Sequence, residues 1–452
     1  MNRFVNFCAG ASKSNLPGEG VRALLINIFS YCKTQKAIEK TNELITYSQA
    51  KHVMQDSGGY QLKLAEQKNK EILMDETLRM KPLSSFRLTD ESLKSLKSEG
   101  FPSKIHAQLK SIKYQVFRGK REFLEALKKL IGKEETRKHK EMILEHVEVK
   151  EVINLTPKHN VDIATQIEPH ILVGLDFPVK DLKDLKKDNV QPDVEFLNKL
   201  GHNLVWAVET AKQVKEVKLK NKLPQELKLF LPIQCYSLEQ FEWFRHFLSK
   251  EDIDKFDGFS MPLRNLSLKE TAKLVIRFYQ LGIRRLHFLG VGNFKHIAFA
   301  AFLPKLLPEL EWVSADARSW YEHGKPMRYM DYNNFSVTHI DDVNMIHCPC
   351  PYCQKRPDIV KVEKIRGIKD KKINHELRNF ISGHNFWVTE QLGHEISQSI
   401  DSILKLKRYL RERSTGVKDI NKRVKVIDEI CDALYFIKEY KDKNINYLMK
   451  VA

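Results

Sequence analysis

Three cysteines lie close together in the segment Cys348-Pro-Cys350-Pro-Tyr-Cys353, and His384 follows further along the chain. Three thiolates and one imidazole suit a single tetrahedral zinc ion. Four protein ligands leave no open coordination position, whereas a catalytic zinc normally keeps one for water or substrate. We therefore expect a structural Zn2+ site at these four residues and look for catalytic chemistry elsewhere.

The fourth ligand has an alternative, His375. That residue lies in a charged run typical of a helix. His384 instead follows Gly383, and a glycine allows the backbone to turn tightly toward a metal. We expect His384, at such a turn, to complete the site.

Four polar side chains end short apolar runs. They are Asp56, Asp176, Gln234 and Asp316. Two carboxylates at one site can divide the work of nucleophilic attack and proton transfer. Each has a plainer interpretation as well. Asp56 and Asp316 could cap the helices that follow them, Asp176 could pair with a lysine or arginine, and Gln234 could be an ordinary polar residue at a strand end.

The apolar runs alternate with amphipathic stretches. The runs cover residues 23–31, 52–56, 171–176, 228–234, 256–261, 285–290 and 310–316, and the helical patterns include 197–212, 238–248, 268–281 and 294–303. This alternation predicts parallel strands with helical crossovers, and about eight strands favour an α/β fold, the TIM (β/α)8 barrel. In such barrels the active site lies at the carboxyl ends of the strands, where the four polar side chains stand.

The sequence predicts four parts. Residues 1–61 and 151–345 form the barrel, 62–150 a basic helical insertion, 346–390 a zinc-binding subdomain, and 391–452 a C-terminal helical extension. The extension is predicted from apolar residues at spacings of three and four, such as Ile396, Ile400 and Ile403. A helical hairpin packed on the barrel is the simplest arrangement.

Positive charge is concentrated in two stretches. The net charge is +18, with thirteen basic against seven acidic residues in 101–150 and nine against four in 354–378. Such local charge is expected where a protein binds a phosphate backbone. The alternative for the insertion is a solvated helix face, because glutamates alternate with the lysines there. The candidate nucleic-acid contacts are Lys113, Arg118, Lys120, Arg121, Lys364, Arg366 and Lys369.

The remaining four of the seven cysteines are scattered without a framework of spacings. This distribution is typical of a reduced intracellular protein. We find no apolar stretch of the length needed for a signal peptide or a membrane span. A cytoplasmic location without a membrane partner is expected.

Several motifs occur together in a characteristic order. They are Asp56-Ser57-Gly58-Gly59-Tyr60, Asn154-Leu155-Thr156-Pro157, the run ending at Asp176, Leu289-Gly290-Val291-Gly292, Asp316 and the cysteine cluster. In this order the chain resembles the tRNA-guanine transglycosylase superfamily, over roughly residues 1–60 and 151–395. The divergence and the basic insertion look most like the branch that places 7-deazaguanines in DNA.

The resemblance implies an enzyme that exchanges guanine in DNA for 7-cyano-7-deazaguanine without cutting the sugar-phosphate chain. Asp316 matches the family nucleophile, which forms a covalent glycosyl-enzyme, and Asp56 matches the residue that transfers protons. An ATPase-like partner accompanies this branch in modification-restriction systems. Two alternatives stay open, namely the same exchange on tRNA and a catalytically silent nucleic-acid-binding subunit.

The resemblance also implies how the base is held. Asp176 matches the acceptor for the purine's ring N–H and exocyclic amine, and Gln234 matches the amide that reads its carbonyl. Tyr60 and Leu289 fall where the family stacks the base, beside Ser57 and Gly58 of the same glycine-rich turn. Such stacking can receive a flipped nucleotide.

The chain departs from the family pattern near the pocket. Cys235-Tyr236 and Ser260-Met261 replace two Gly-Gly pairs, and Ala317-Arg318-Ser319 replaces Pro-Thr-Arg after Asp316. These replacements put the backbone donors of the pocket and the polynucleotide contacts in doubt.

Overall fold

The computed structural model describes residues 4–11, 21–28, 35–56, 84–115, 117–151, 156–177, 179, 194–263, 266–317, 319–324, 326–340, 348–355 and 371–450. Contacts divide the chain into two compact units. One lies within Met1–Asn69 and Asn160–Ala452, and the other lies within Lys70–His159. The second overlaps most of the predicted insertion.

The strands are β1 (Phe4–Ala9), β2 (Ala23–Asn27), β3 (His52–Asp56), β4 (Ser84–Arg87), β5 (Phe117–Arg118), β6 (Glu148–Glu151), β7 (Ile171–Val173), β8 (Lys228–Pro232), β9 (Gly258–Pro262), β10 (Arg285–Leu289), β11 (Trp312–Ala317), β12 (Arg328–Met330) and β13 (Val337–His339). The helices are α1 (Gln35–Ser48), α2 (Asp90–Ser98), α3 (Ser103–Leu109), α4 (Gly119–Ile131), α5 (Lys133–His146), α6 (Pro157–Ile167), α7 (Val194–Leu219), α8 (Leu238–His246), α9 (Lys250–Ile253), α10 (Leu268–Gln280), α11 (Phe294–Leu306), α12 (Ser319–Gly324), α13 (Pro351–Lys355), α14 (Lys371–Ser399), α15 (Ile403–Glu412), α16 (Ile420–Tyr440) and α17 (Ile445–Lys450).

Eight parallel strands of the first unit close into a barrel in the order β1-β11-β10-β9-β8-β7-β3-β2. Helices surround this barrel, as expected for a TIM barrel. The register places Asp316 opposite Phe7 and Asp56 opposite Asn27. Because all eight strands run in one direction, their carboxyl ends share one mouth.

Alternate side chains of each strand fill the barrel interior, as the twofold period of a strand requires. An apolar cluster from five different strands occupies its middle. Its members include Phe7, Leu25, Met54, Val173 and Phe230. The interior is therefore a packed core, and polar chemistry is left to the ends of the strands.

Helix α14 covers the outer face of β1. A Cβ atom on Gly393 would lie 2.2 Å from Cε1 of Phe4, so only glycine allows this close approach. Next to this contact the Asn6 amide donates to the hydroxyl of Thr389 at 3.3 Å. Helix α14 is therefore fixed directly to a barrel strand.

The C-terminal helices are joined to α14 by a carboxylate within a ring of aromatic side chains. Glu395 accepts hydrogen bonds from Tyr332 at 3.1 Å, from Tyr409 at 2.5 Å and from Arg413 at 3.3 Å. The Arg413 guanidinium also lies 4.4 Å from the Tyr332 ring centroid and 4.9 Å from that of Phe335. Beyond this cluster, α16 packs on α10 and α11.

The second unit has its own core. Its three strands form an antiparallel sheet in the order β5-β4-β6. Phe123 of α4 packs on Phe86 and Phe117 of the sheet, with ring centroids 5.9 and 5.4 Å away. The basic segment is thus a small folded body of helices and strands.

In the described part of the chain, no helix combines the length and the apolar character needed to cross a membrane.

Glu390 of α14 gives the fold a predicted pH dependence. Burial raises the pKa of Glu390 from 4.5 to about 7, and the opposing effect of Arg22 is smaller. The folded state binds the Glu390 proton more tightly than the unfolded state does, and the resulting stability is fully present below about pH 4.5. This stability is lost as the pH rises through about 7. We expect the free energy of unfolding to fall over this window by up to about 1.4 kcal/mol per pH unit.

Chemical denaturation of Glu390→Gln at several pH values checks this prediction. The variant should lack the decrease between about pH 4.5 and 7. Glu216→Gln, on the exposed side of α7, should keep the wild-type profile. An unchanged profile in Glu390→Gln would contradict the assignment.

Candidate active site and metal centre

Asp316 is buried near the end of β11, with 9% of its surface exposed. Its Oδ1 atom accepts a hydrogen bond from the backbone N–H of Gly290 at 2.9 Å and lies 3.3 Å from Nε2 of His287. Gly290 has φ +71°, a left-handed conformation that favours glycine and turns its amide toward the carboxylate. Among the described residues, the carboxylate thus receives its hydrogen bond from the end of the neighbouring strand.

Asp56 occupies the corresponding place on β3. Its Oδ2 atom accepts a hydrogen bond from the side-chain amide of Asn27 at 2.7 Å. Asp56 lies two residues after the interior Met54, and Asp316 lies two residues after Ser314, whose hydroxyl contacts His287. Strand alternation therefore directs both carboxylates to the inner face of the same barrel mouth.

Asp176 and Gln234 are brought together just beyond β7 and β8. The side-chain amide of Gln234 donates to Oδ2 of Asp176, and the two residues are only 5% and 2% exposed. Phe177, next in the chain, is held at both backbone groups by the Asn203 amide, at 2.6 and 3.0 Å. A buried carboxylate beside a buried amide is suited to recognise a ligand that carries adjacent donors and an acceptor.

Three predicted pocket residues, Tyr60, Ser57 and Gly58, lie outside the described residues. Leu289, which was predicted to stack the base together with Tyr60, is the last residue of β10 and is half-buried next to Gly290. It therefore stands at the same barrel mouth as Asp316. Its role in stacking a base stays a prediction.

Cys235 and Ser260, two of the residues that replace glycines of the expected pattern, are buried. Cys235 lies within an apolar cluster that includes Phe241 and Phe259, and burial raises the pKa of its thiol, so it remains a neutral thiol. The Ser260 hydroxyl is also buried, without a hydrogen-bond partner among the described residues.

His287 is the residue at this site that the sequence analysis missed. It is fully buried, and its Nδ1 atom lies 2.9 Å from the Ser314 hydroxyl. The signal was present in the alternation of β10, because Arg285, His287 and Leu289 share one face of the strand. A histidine at the centre of a buried strand, two residues before its end, would have been a candidate neighbour of Asp316.

The predicted metal ligands form one buried cluster. The donor atoms of Cys348, Cys350, Cys353 and His384 all lie within 4.8 Å of one another. Nδ1 of His384 is 3.5, 3.2 and 3.5 Å from the three sulfur atoms in turn. A tetrahedral zinc with ordinary bond lengths would separate nitrogen from sulfur by about 3.6 Å. These residues could therefore hold a metal ion, and their geometry is compatible with zinc.

The surroundings of His384 orient its ring. Its Nε2 atom lies 2.7 Å from the carbonyl oxygen of Met330, and Tyr329 stacks on the imidazole with ring centroids 3.9 Å apart. The bond to Met330 places the ring proton on Nε2 and leaves the Nδ1 lone pair toward the sulfur atoms. A second hydrogen bond of this kind is usual for metal-ligating histidines.

The prediction of a turn at Gly383 is wrong. Gly383 and His384 lie inside α14, a continuous helix. A Cβ atom on Gly383 would lie 2.4 Å from Cε1 of Tyr352, so this glycine makes room for the tyrosine between Cys350 and Cys353. The alternative ligand His375 is an exposed residue of the same helix and contacts Asn379.

The candidate phosphate contacts have different surroundings. Lys113 donates to Asp90 at 3.0 Å, whereas Lys120 and Arg121 are exposed on α4. Arg118 lies in β5. Lys364, Arg366 and Lys369 fall outside the described residues.

Removal of one ligand tests the metal centre. We expect wild-type protein to contain one zinc per chain and Cys350→Ser to lose it, because three ligands hold the ion far less tightly. Metal analysis by mass spectrometry and thermal unfolding measure the two effects. His375→Ala and Cys431→Ser, both outside the cluster, should keep the metal; loss of zinc from His375→Ala would reassign the fourth ligand.

Comparisons with known proteins do not assign the chain to a family. No protein-family model matches it, and no curated protein does. The resemblance to the transglycosylase superfamily therefore rests on the motifs quoted above.

Proposed function

We propose that this protein is a base-exchange glycosyltransferase that replaces guanine in DNA with a 7-deazaguanine. One observation carries the proposal. Asp56 and Asp316 stand at the same barrel mouth on inward-facing positions, and each accepts a hydrogen bond from a neighbouring strand end. Two carboxylates in this arrangement suit a double displacement at a sugar carbon.

In the first step, an oxygen of the Asp316 carboxylate attacks the anomeric carbon of the sugar. The bond between this carbon and the guanine nitrogen breaks, and the bonding electrons leave with the base. Asp56 lies on the side of the base, opposite Asp316, and protonates the base as it departs. The product is a glycosyl ester on Asp316, with the polynucleotide backbone intact.

The second step reverses the first with a different base. The incoming 7-deazaguanine gives its ring proton to Asp56 as its nitrogen attacks the anomeric carbon. The ester bond breaks, and Asp316 regains its negative charge. Protons and electrons balance over the two steps, so the exchange needs no redox partner.

The base is recognised by the buried pair of Asp176 and Gln234. A carboxylate accepts two hydrogen bonds from the ring N–H and exocyclic amine of a guanine-type base, and adenine would leave these buried groups unpaired. The four-ligand metal centre is proposed to be a structural zinc site. Its role is to hold α14, and no step of the exchange depends on it.

DNA is the preferred polynucleotide because the basic stretch at residues 101–150 lies in a folded unit of its own, Lys70–His159. Phosphate contacts from such a unit could offset the cost of extruding a base, a few kcal/mol. The same chemistry on tRNA and a silent binding subunit are outcomes of the experiment below. An ATPase-like partner could open the duplex.

Exchange is measured with labelled guanine and three substrates, namely duplex DNA, single-stranded DNA and unmodified tRNA. We expect labelled base in DNA and a covalent protein–DNA adduct that survives denaturing electrophoresis. Asp316→Asn should abolish the adduct and lower exchange by at least about 1,000-fold, because the nucleophile is lost. Asp401→Asn, an exposed carboxylate outside the site, should remain active.

Each outcome distinguishes the alternatives. Label in tRNA alone would replace the DNA assignment. DNA binding without exchange, alone and with a partner ATPase added, would favour the silent subunit. Undiminished exchange in Asp316→Asn would end the proposed mechanism.

Charge reversal tests the nucleic-acid contacts. Lys120→Glu with Arg121→Glu should weaken DNA binding and reduce its salt dependence, because fewer counterions are released. The matched control is Lys220→Glu with Lys222→Glu, which makes the same charge change at exposed positions just after α7. Fluorescence anisotropy between about 50 and 200 mM salt measures both. Equal losses in the two double variants would indicate a general charge effect instead of a local interface.

A further inference from the structure

A buried chain of hydrogen-bonding groups leads from the barrel interior to Asp316. The indole N–H of Trp312 donates to the Ser314 hydroxyl at 2.9 Å, and the same hydroxyl lies 2.9 Å from Nδ1 of His287. On the other side of the ring, Nε2 is 3.3 Å from Oδ1 of Asp316. Phe7 packs edge-on against the imidazole, with ring centroids 5.7 Å apart.

The direction of the protons follows from the first member of the chain. An indole N–H can only donate, so the Ser314 oxygen accepts there. Its own proton has two acceptors within reach, Nδ1 of His287 at 2.9 Å and the Leu286 carbonyl oxygen at 3.4 Å. The longer distance exceeds the usual limit of about 3.0 Å for an O–H···O bond. The serine proton therefore points to Nδ1, and a neutral ring carries its own proton on Nε2.

The opposite side of the ring favours the same tautomer. Nε2 is buried, and it has no aligned hydrogen-bond partner in the described part of the chain. Its nearest charged neighbour is the carboxylate of Asp316. A lone pair on Nε2 would face that negative charge, whereas an N–H would attract it.

We propose that Trp312 and Ser314 fix His287 as the Nε2–H tautomer, and that His287 in turn positions the carboxylate of Asp316. Both described contacts of this carboxylate, from Gly290 and from His287, go to Oδ1. Oδ2 is thereby directed to the barrel mouth. This role rests on the proposed function, in which that carboxylate attacks a sugar carbon, and His287 acts only through Asp316.

Two substitutions at one position separate hydrogen bonding from packing. His287→Gln can keep an N–H donor near the position of Nε2, whereas His287→Leu fills the space without a donor. We expect His287→Leu to lower the rate of adduct formation about 10- to 100-fold, because the charged carboxylate loses the polar N–H that faces it. DNA affinity should stay within about twofold, and His287→Gln should keep most of the rate.

Ser314→Ala tests the chain behind the histidine. This variant should also slow adduct formation, because Nδ1 loses its donor and the ring can change tautomer. In the His287→Leu background it should have no further effect, since the ring through which it acts is gone. Equal rates for His287→Gln and His287→Leu, or additive effects of Ser314→Ala and His287→Leu, would overturn the positioning role.

A spectroscopic readout is independent of activity. Nitrogen-15 NMR of histidine-labelled full-length protein reports which ring nitrogen carries the proton, and comparison with His287→Gln identifies the signal. We expect Nε2–H in the wild type and a shift toward Nδ1–H in Ser314→Ala. Nδ1–H in the wild type would overturn the inference even if exchange is observed. Failure of the wild type to exchange any base would instead reject the proposed function, while the tautomer is still determined.

Discussion

The common direction of the eight barrel strands is the constraint on which the candidate site depends. Asp56 and Asp316 are distant in sequence, yet β3 and β11 both end at the same mouth. Strand alternation then directs both carboxylates inward, because each lies two residues beyond an interior position. Neither side chain needs a special loop to reach the site. What the loops and neighbouring strand ends add is the set of donors, from Asn27 and Gly290, that holds each carboxylate.

The candidate metal cluster includes one residue of the helix that covers the barrel wall at β1. Its histidine lies on α14, and the next turns of the same helix contact β1 through Thr389 and Gly393. The strand β1 in turn pairs with β11, which carries Asp316. A short, cysteine-rich segment can therefore fix a long helix that covers the barrel wall.

Much of the fold could be predicted from the sequence because its signals are local. Each strand that ends at Asp56 or Asp316 is a short apolar run with a polar end, and the closed parallel barrel confirms that pattern. The cysteine spacing likewise identified three of the four residues that the structure brings together as a candidate metal site. The turn at Gly383 was wrong, because a glycine inside a helix and a glycine at a turn look alike until the packing of Tyr352 is known. His287 was missed because the alternation of β10 indicates only that it faces the barrel interior, whereas its contacts with Ser314 and Asp316 depend on the adjacent strand.

The position of Glu395 has a consequence for any shortened version of this protein. One helix carries a metal ligand, the residues that touch the barrel, and this carboxylate, which binds side chains from the β12–β13 region and from the C-terminal helices. A chain cut before Arg413 would leave the carboxylate among aromatic rings without its cation. The C-terminal helices therefore belong to the same compact unit as the barrel, and a stable shortened chain has to retain them.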